Sequence, residues 1–120
     1  MAFAIRDSLE VARSLGLDIR RSRICGGGAK SPLWRTIIAN VCGLELEIIE
    51  SEEGPGYGGA MLAAVACGAY PSVQAAADRL VRVVDRVRPD PEITARYEAQ
   101  YRKFQKIYPT LKPLFPALLG

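Results

Sequence analysis

The chain has 120 residues, 49% of them hydrophobic and 24% charged, the profile of one soluble globular domain with enough surface to bury for a core. It contains no histidine, which removes Ser-His-Asp and Cys-His nucleophile chemistry, HExxH zinc sites and a switch near neutral pH. Sixteen basic against thirteen acidic residues leave a formal charge of +3, too slight and dispersed to argue for nucleic acid or an anionic membrane as partner.

The first element is a helix. Ile5, Leu9, Ala12 and Leu15 recur at helical spacing as the apolar face, Arg6, Asp7, Glu10 and Arg13 mark a wetter one, and Gly16 is the natural stop. The chain thus starts almost inside a helix, which is expected of a piece of something larger, although Met1 also suits a natural start. A short strand over about Arg21–Cys25 runs into Gly26-Gly27-Gly28. A second helix opens with Ser31 as N-cap and Pro32 at its first position, where serine accepts an orphan amide and proline lacks only an amide that had no partner. Leu33, Ile37, Ile38 and Val41 are its expected inner face, Gly43 its end, and a second strand covers about Glu45–Glu50.

From Gly54 to Ala77 no residue is charged, long enough to cross a bilayer by count. Its two prolines, five glycines and many alanines read instead as a buried helix over Tyr57–Cys67 with loops at both ends, packed closely on most sides. Glu52 and Glu53 just before it point in different directions and suit capping or solvation better than acid–base work. An amphipathic helix follows over Val73–Val84, capped by Ser72, with Arg79, Arg82, Arg86 and Arg88 as a solvated basic face. Arg88-Pro89-Asp90-Pro91 is a turn into a last long helix, Glu92–Tyr108. On it Ile93, Tyr97, Tyr101, Phe104 and Tyr108 form a core-facing stripe, opposite a Glu98–Arg102 pair. Pro109, Pro113 and Pro116 break the tail into turns. Cys25, Cys42 and Cys67 are odd in number and far apart, as expected of reduced, buried residues in a cytosolic protein.

Helix, strand, glycine loop, helix and strand give an α/β order with two short strands, a poor sheet by itself and a better match to the helix-rich part of a larger domain. The richest segment chemically is Cys25-Gly26-Gly27-Gly28-Ala29-Lys30-Ser31. A strand, a glycine turn and a helix N-terminus present backbone amides and a positive dipole end to an anion, which must approach the main chain itself. It is not a Walker A loop, because Ala29 and Ile24 stand where glycines are needed. It is not a full GxGxxG either, because Ser31 replaces the third glycine. Three glycines exceed what a turn requires, which favours phosphate contact over plain packing, although Lys30's direction is not fixed by its position.

Four segments in order carry a resemblance. Phe3-Ala4-Ile5-Arg6-Asp7-Ser8-Leu9-Glu10, Gly26 through Arg35, Glu52 through Ala60, and Tyr108 through Phe115 resemble the C-terminal end of xylulokinases, within the FGGY family of carbohydrate kinases. The resemblance implies a fold: residues 1–120 as a single partial domain, the helix-rich C-terminal part of an actin-like (ribonuclease H-like) ATPase domain. It implies a cytoplasmic enzyme that moves the γ-phosphoryl of ATP, with Mg2+, to a sugar, here D-xylulose. It places Gly26, Gly27, Gly28, Ala29, Lys30 and Ser31 against ATP or ADP. The family's aspartate base, sugar pocket and second phosphate loop are expected in an N-terminal lobe outside this chain, since Asp7, Asp18, Asp78, Asp85 and Asp90 match no catalytic-base motif. The chain alone is therefore expected to be inactive and to self-associate through exposed apolar surface. Two readings stay open beside it: an interaction domain whose glycine loop is a packing turn, and a small nucleotide-binding module that regulates a partner.

Overall fold

The structure is a computed structural model that describes residues 1–51 and 54–118. Glu52 and Glu53, expected to cap or solvate a helix start, lie outside the described residues. Helix α1 (Ala2–Ser14) leads through Gly16, at φ +89°, to strand β1 (Arg21–Ile24). A 3-10 turn (Gly27–Lys30) joins β1 to α2 (Pro32–Cys42), which runs into β2 (Glu45–Ile49). Then come α3 (Pro55–Ala66), α4 (Val73–Leu80), β3 (Val83–Val87) and α5 (Pro91–Phe104). The tail coils into α6 (Ile107–Leu111), a second 3-10 turn (Lys112–Leu114) and α7 (Phe115–Leu118).

The expected caps form. Ser31 Oγ accepts from the Trp34 amide at 3.3 Å, and Ser72 Oγ from the Ala75 amide at 3.1 Å. Asp90 caps α5 through the amides of Glu92 and Ile93, and the buried Asn40 side chain accepts from the Asp90 amide at 2.7 Å, which ties α5 to α2. Gly43 ends α2 in the left-handed region.

The α/β character holds, with one strand more than the sequence reading. The helix expected over Val73–Val84 stops at Leu80, and residues 83–87 form β3. The order is β1-β2-β3, with β1 parallel and β3 antiparallel to the central β2. The reason lies in the run Val81-Arg82-Val83-Val84-Asp85-Arg86-Val87, where β-branched residues stiff at χ1 favour a strand, and the open edge of β2 supplies a ladder. Arg86 and Arg88 are thus not on a solvated helix face. They pair across the ladder with Glu45 and Glu47, and the buried Glu47 carboxylate also meets Arg23 at 3.3 Å.

The other sheet face carries the core, in which Ile38, Ala39, Val41 and Cys42 of α2 pack on Leu44, Leu46 and Ala2. Leu33, expected inside, is 70% exposed. Of the cysteines only Cys42 is buried, while Cys25 and Cys67 are exposed. Burial pushes the Cys42 thiol up from its usual range. The aromatic stripe of α5 is shorter than expected: Tyr97, Tyr101 and Phe104 surround Phe3 of α1 with ring centroids 5.5–6.2 Å away, whereas Tyr108 belongs to α6 and is exposed. Helix α3 has no buried residue and rests chiefly on α4, with Tyr57 donating to the Leu80 carbonyl at 2.9 Å. The expected burial on most sides fails because so few elements surround it. No helix among the described residues is long and apolar enough to cross a membrane.

Candidate functional site

The site is built where β1 and β2 end. Strand β1 delivers Cys25 and Gly26 to the C-terminal edge of the sheet, and the chain turns there through Gly27–Lys30 before α2 begins. The second glycine-rich junction comes to the same place, since a Cβ on Gly54 would stand 3.6 Å from Cys25 Sγ. A cavity of 170 Å³ lies at this edge, lined by Cys25, Gly26, Ala29, Lys30 and Arg35 on one side and Ile49, Glu50, Ser51 and Val84 on the other.

The three glycines answer to different constraints. Gly26 has φ +84°, a backbone region that side chains strain to enter. A Cβ on Gly28 would meet Trp34 Cδ1 at 3.0 Å and Nε1 at 3.1 Å, so glycine there accommodates the indole. Gly27 has neither reason: its φ is not positive, and an added Cβ would have nothing within 4 Å. The fold therefore does not account for the missing side chain at Gly27.

Of the six residues singled out in the sequence, Gly26, Ala29 and Lys30 line this cavity, whereas Gly27, Gly28 and Ser31 stand outside its lining. Ala29 is buried, and its amide donates to the Gly26 carbonyl at 3.0 Å. The Ser31 amide donates to the Gly28 carbonyl at 3.2 Å, while its hydroxyl caps α2. Those bonds leave the Gly27 and Gly28 amides outside the turn's internal ladder, and both residues are exposed. Lys30 contributes a cation to the cavity wall.

Arg35 was not foreseen as part of the site. It stands one turn into α2, and its side chain runs back over the helix start because Cα–Cβ bonds tilt toward the N-terminus. Its Nε donates to the Ala29 carbonyl, and its Nη1 lies 4.0 Å from Asp85 Oδ2 on β3. The sequence held that signal in the spacing of Arg35 from Pro32; its strand partner became visible only with β3. No group of three or more His, Cys, Asp or Glu side chains fit to hold a metal ion occurs among the described residues. Backbone amides at a glycine bend together with the cationic side chains of Lys30 and Arg35 are the kind of surroundings that suit an anion.

A family model described as the C-terminal domain of the FGGY family of carbohydrate kinases matches residues 1–67. The xylulose kinase of Staphylococcus epidermidis is 29% identical over 119 residues, which are 99% of this chain and 24% of that protein. A ribulokinase of Mycolicibacterium smegmatis is 33% identical over 108 residues, 89% of this chain and 19% of its own. Among solved structures, the xylulose kinase from Rhodospirillum rubrum superposes with a TM-score of 0.77 and 30% identity, over 95% of this chain and 23% of that one. The chain thus spans about a quarter of the length of the kinases it matches.

Proposed function

The chain belongs to the FGGY family of carbohydrate kinases, and from that premise we propose that it is the nucleotide-binding C-terminal portion of a cytoplasmic sugar kinase acting on D-xylulose. The sugar rests on the extent of the similarity to xylulose kinases, since a ribulokinase is also a relative. Residues 1–120 are in this reading one partial domain, and the sugar pocket and the base that deprotonates the accepting hydroxyl belong to the remaining lobe.

Phosphoryl transfer is achieved by positioning and by charge stabilisation on both sides of the phosphate. This chain supplies one side. The Gly27 and Gly28 amides donate to phosphate oxygens of ATP or ADP, Gly26 turns the backbone so that they face outward, and buried Ala29 anchors the bend. Lys30 adds positive charge, and Ser31 fixes the start of α2, which walls the adenine pocket. Mg2+, if bound, would accompany the nucleotide phosphates and supply positive charge there.

The observation that carries the reading is Gly27: a residue without a side chain, in open space, where neither backbone nor packing requires one. Close approach of a ligand to the main chain would account for it. The test is thermal unfolding of the chain with and without ADP, because a ligand that binds only the folded form raises Tm. ADP is expected to raise Tm, and Gly27→Val to abolish the rise. Equal ADP affinity for the two proteins by calorimetry would sink the assignment. No sugar-dependent ADP formation is expected from the chain alone, and multiple turnovers with D-xylulose would contradict the division of the site between lobes.

A second reading has its own support: Gly26 and Gly28 are explained by backbone angle and by Trp34, as a packing turn in an interaction domain would require. It predicts no response to ADP.

A further inference from the structure

We infer that Arg35 is the positioning residue of the glycine loop, holding the bend so that the Gly27 and Gly28 amides face the phosphate side; the inference rests on the nucleotide reading above. Four observations converge on it. The Ala29 carbonyl lies inside the 3-10 turn and receives the Arg35 Nε–H. The Arg35 side chain is only 20% exposed, so it is held against the protein surface. Its Nη1 lies 4.0 Å from the exposed Asp85 carboxylate, an ion-pair separation longer than a hydrogen bond, on the face of β3 that carries Val87 toward the core. Both Ala29 and Arg35 line the 170 Å³ cavity at the end of the sheet.

The geometry makes a brace. The bend's own bonds, Ala29 to Gly26 and Ser31 to Gly28, close a 3-10 turn whose hydrogen bonds are poorer than those of an α-helix. Two of its residues are glycines with broad conformational freedom. Such a bend does not fix the direction of its outward amides unaided. Arg35 ties it at Ala29 to a helix and, through Asp85, to the sheet edge. The direction of the amides then follows from the placement of β3 against β2. Arg35 acts here through the backbone of Ala29, and its role does not require contact with the nucleotide.

The experiment uses the whole chain and three variants, Arg35→Gln, Arg35→Lys and Asp85→Asn. Two readouts are taken on each: the amide resonances of Gly27 and Gly28 in the ligand-free protein, and the dissociation constant for ADP. Arg35→Gln is expected to move both glycine resonances and to weaken ADP about tenfold. Asp85→Asn, which keeps the arginine and loosens only its exposed outer tether, is expected to move the same resonances in the same direction and weaken ADP about threefold. Arg35→Lys keeps the charge but not the fork, so it is expected to restore little of either.

Unmoved Gly27 and Gly28 resonances in a folded Arg35→Gln protein overturn the inference. So does full rescue of ADP affinity by Arg35→Lys with Asp85→Asn unchanged, which makes the arginine a plain charge on the ligand. If Arg35→Gln does not fold, Asp85→Asn decides by the same resonances. Moved resonances in a chain that binds no ADP uphold the brace and remove the nucleotide reading, so the two failures are distinguishable.

Discussion

Replacing each glycine of the 26–28 run by alanine separates the demands of folding from those of binding, because each meets a different neighbour. At Gly26, φ +84° with ψ −178° puts an alanine in a backbone region that is essentially reserved for glycine, at a cost of about 1–3 kcal/mol. At Gly28 a methyl would crowd Trp34 at 3.0 Å, and the half-buried indole must move, at about 1–3 kcal/mol. At Gly27 alanine meets nothing, and by restricting the unfolded chain it is expected to stabilise by about 0.4–1 kcal/mol. Urea unfolding of the three variants is therefore expected to show two losses and one small gain, with ADP affinity lost in the one that gains stability. A Gly27→Ala protein as unstable as the other two would mean that the fold itself needs that glycine. The glycine run was legible in the sequence as a unit; its division of labour was not, since it depends on where Trp34 packs.

Between elements, the sequence reading of α1 holds only in part: Leu9 of the apolar face packs against the core. Arg6, Asp7, Glu10 and Arg13 read as the wet face, yet this face makes the joints. Arg6 bonds Glu98 and lies 4.1 Å over the Tyr101 ring, Tyr101 donates to Asp7 at 2.5 Å, and Arg13 donates to the Cys42 carbonyl at 3.1 Å. Meanwhile Ile5 is 41% exposed and Leu15 78%. Periodicity reports that a helix is two-sided but not which side meets a partner whose own polar groups are complementary. Caps such as Ser31, Ser72 and Gly43 were legible because they depend on a few neighbours along the chain.

The Tyr101 clamp gives a prediction with a sign. Burial, and then the hydrogen bond to Asp7, push the Tyr101 phenol up to about 12 from its usual 10. A group whose folded pKa is raised stabilises fully below its unfolded pKa, and that contribution fades as pH climbs from about 10 toward 12. Tyr101→Phe keeps the ring contacts with Phe3 and loses the hydroxyl. At neutral pH it is expected to cost about 1.5–3 kcal/mol, the range for a hydrogen bond to a charged group. The gap between wild type and variant in urea unfolding should narrow above pH 10. A gap that stays constant with pH would show that the phenol does not hold Asp7 in solution.

At the scale of the molecule, the Cα radius of gyration is 18.2 Å, against about 14 Å expected for a compact domain of this length. The excess has a visible origin. Helix α3 lies on α4 with no buried residue, α6 and α7 have none either, and the edge of β1 away from β2 has no strand on it among the described residues. Beside that edge runs an apolar cavity of 350 Å³ lined by Ile5, Leu9, Ile24, Ile38, Leu44 and Leu46. A parallel strand pair is normally covered on both faces, and an open strand edge next to apolar surface is a template for another chain.

In a purified solution the available chain is a second copy, so the protein is expected to associate as its concentration rises, as the sequence reading anticipated. Ile5→Lys tests the place. The side chain is partly exposed at the mouth of the cavity, so a lysine can reach water with its ammonium while its stem covers the aliphatic wall. The variant is expected to keep its Tm at low concentration and to sediment as a monomer over a wider range than wild type. Wild-type protein that stays monomeric throughout that range would show that the β1 edge and its cavity are tolerated in water. Association equal in both proteins would move the contact elsewhere, with the bare surface of α3 the next to mutate.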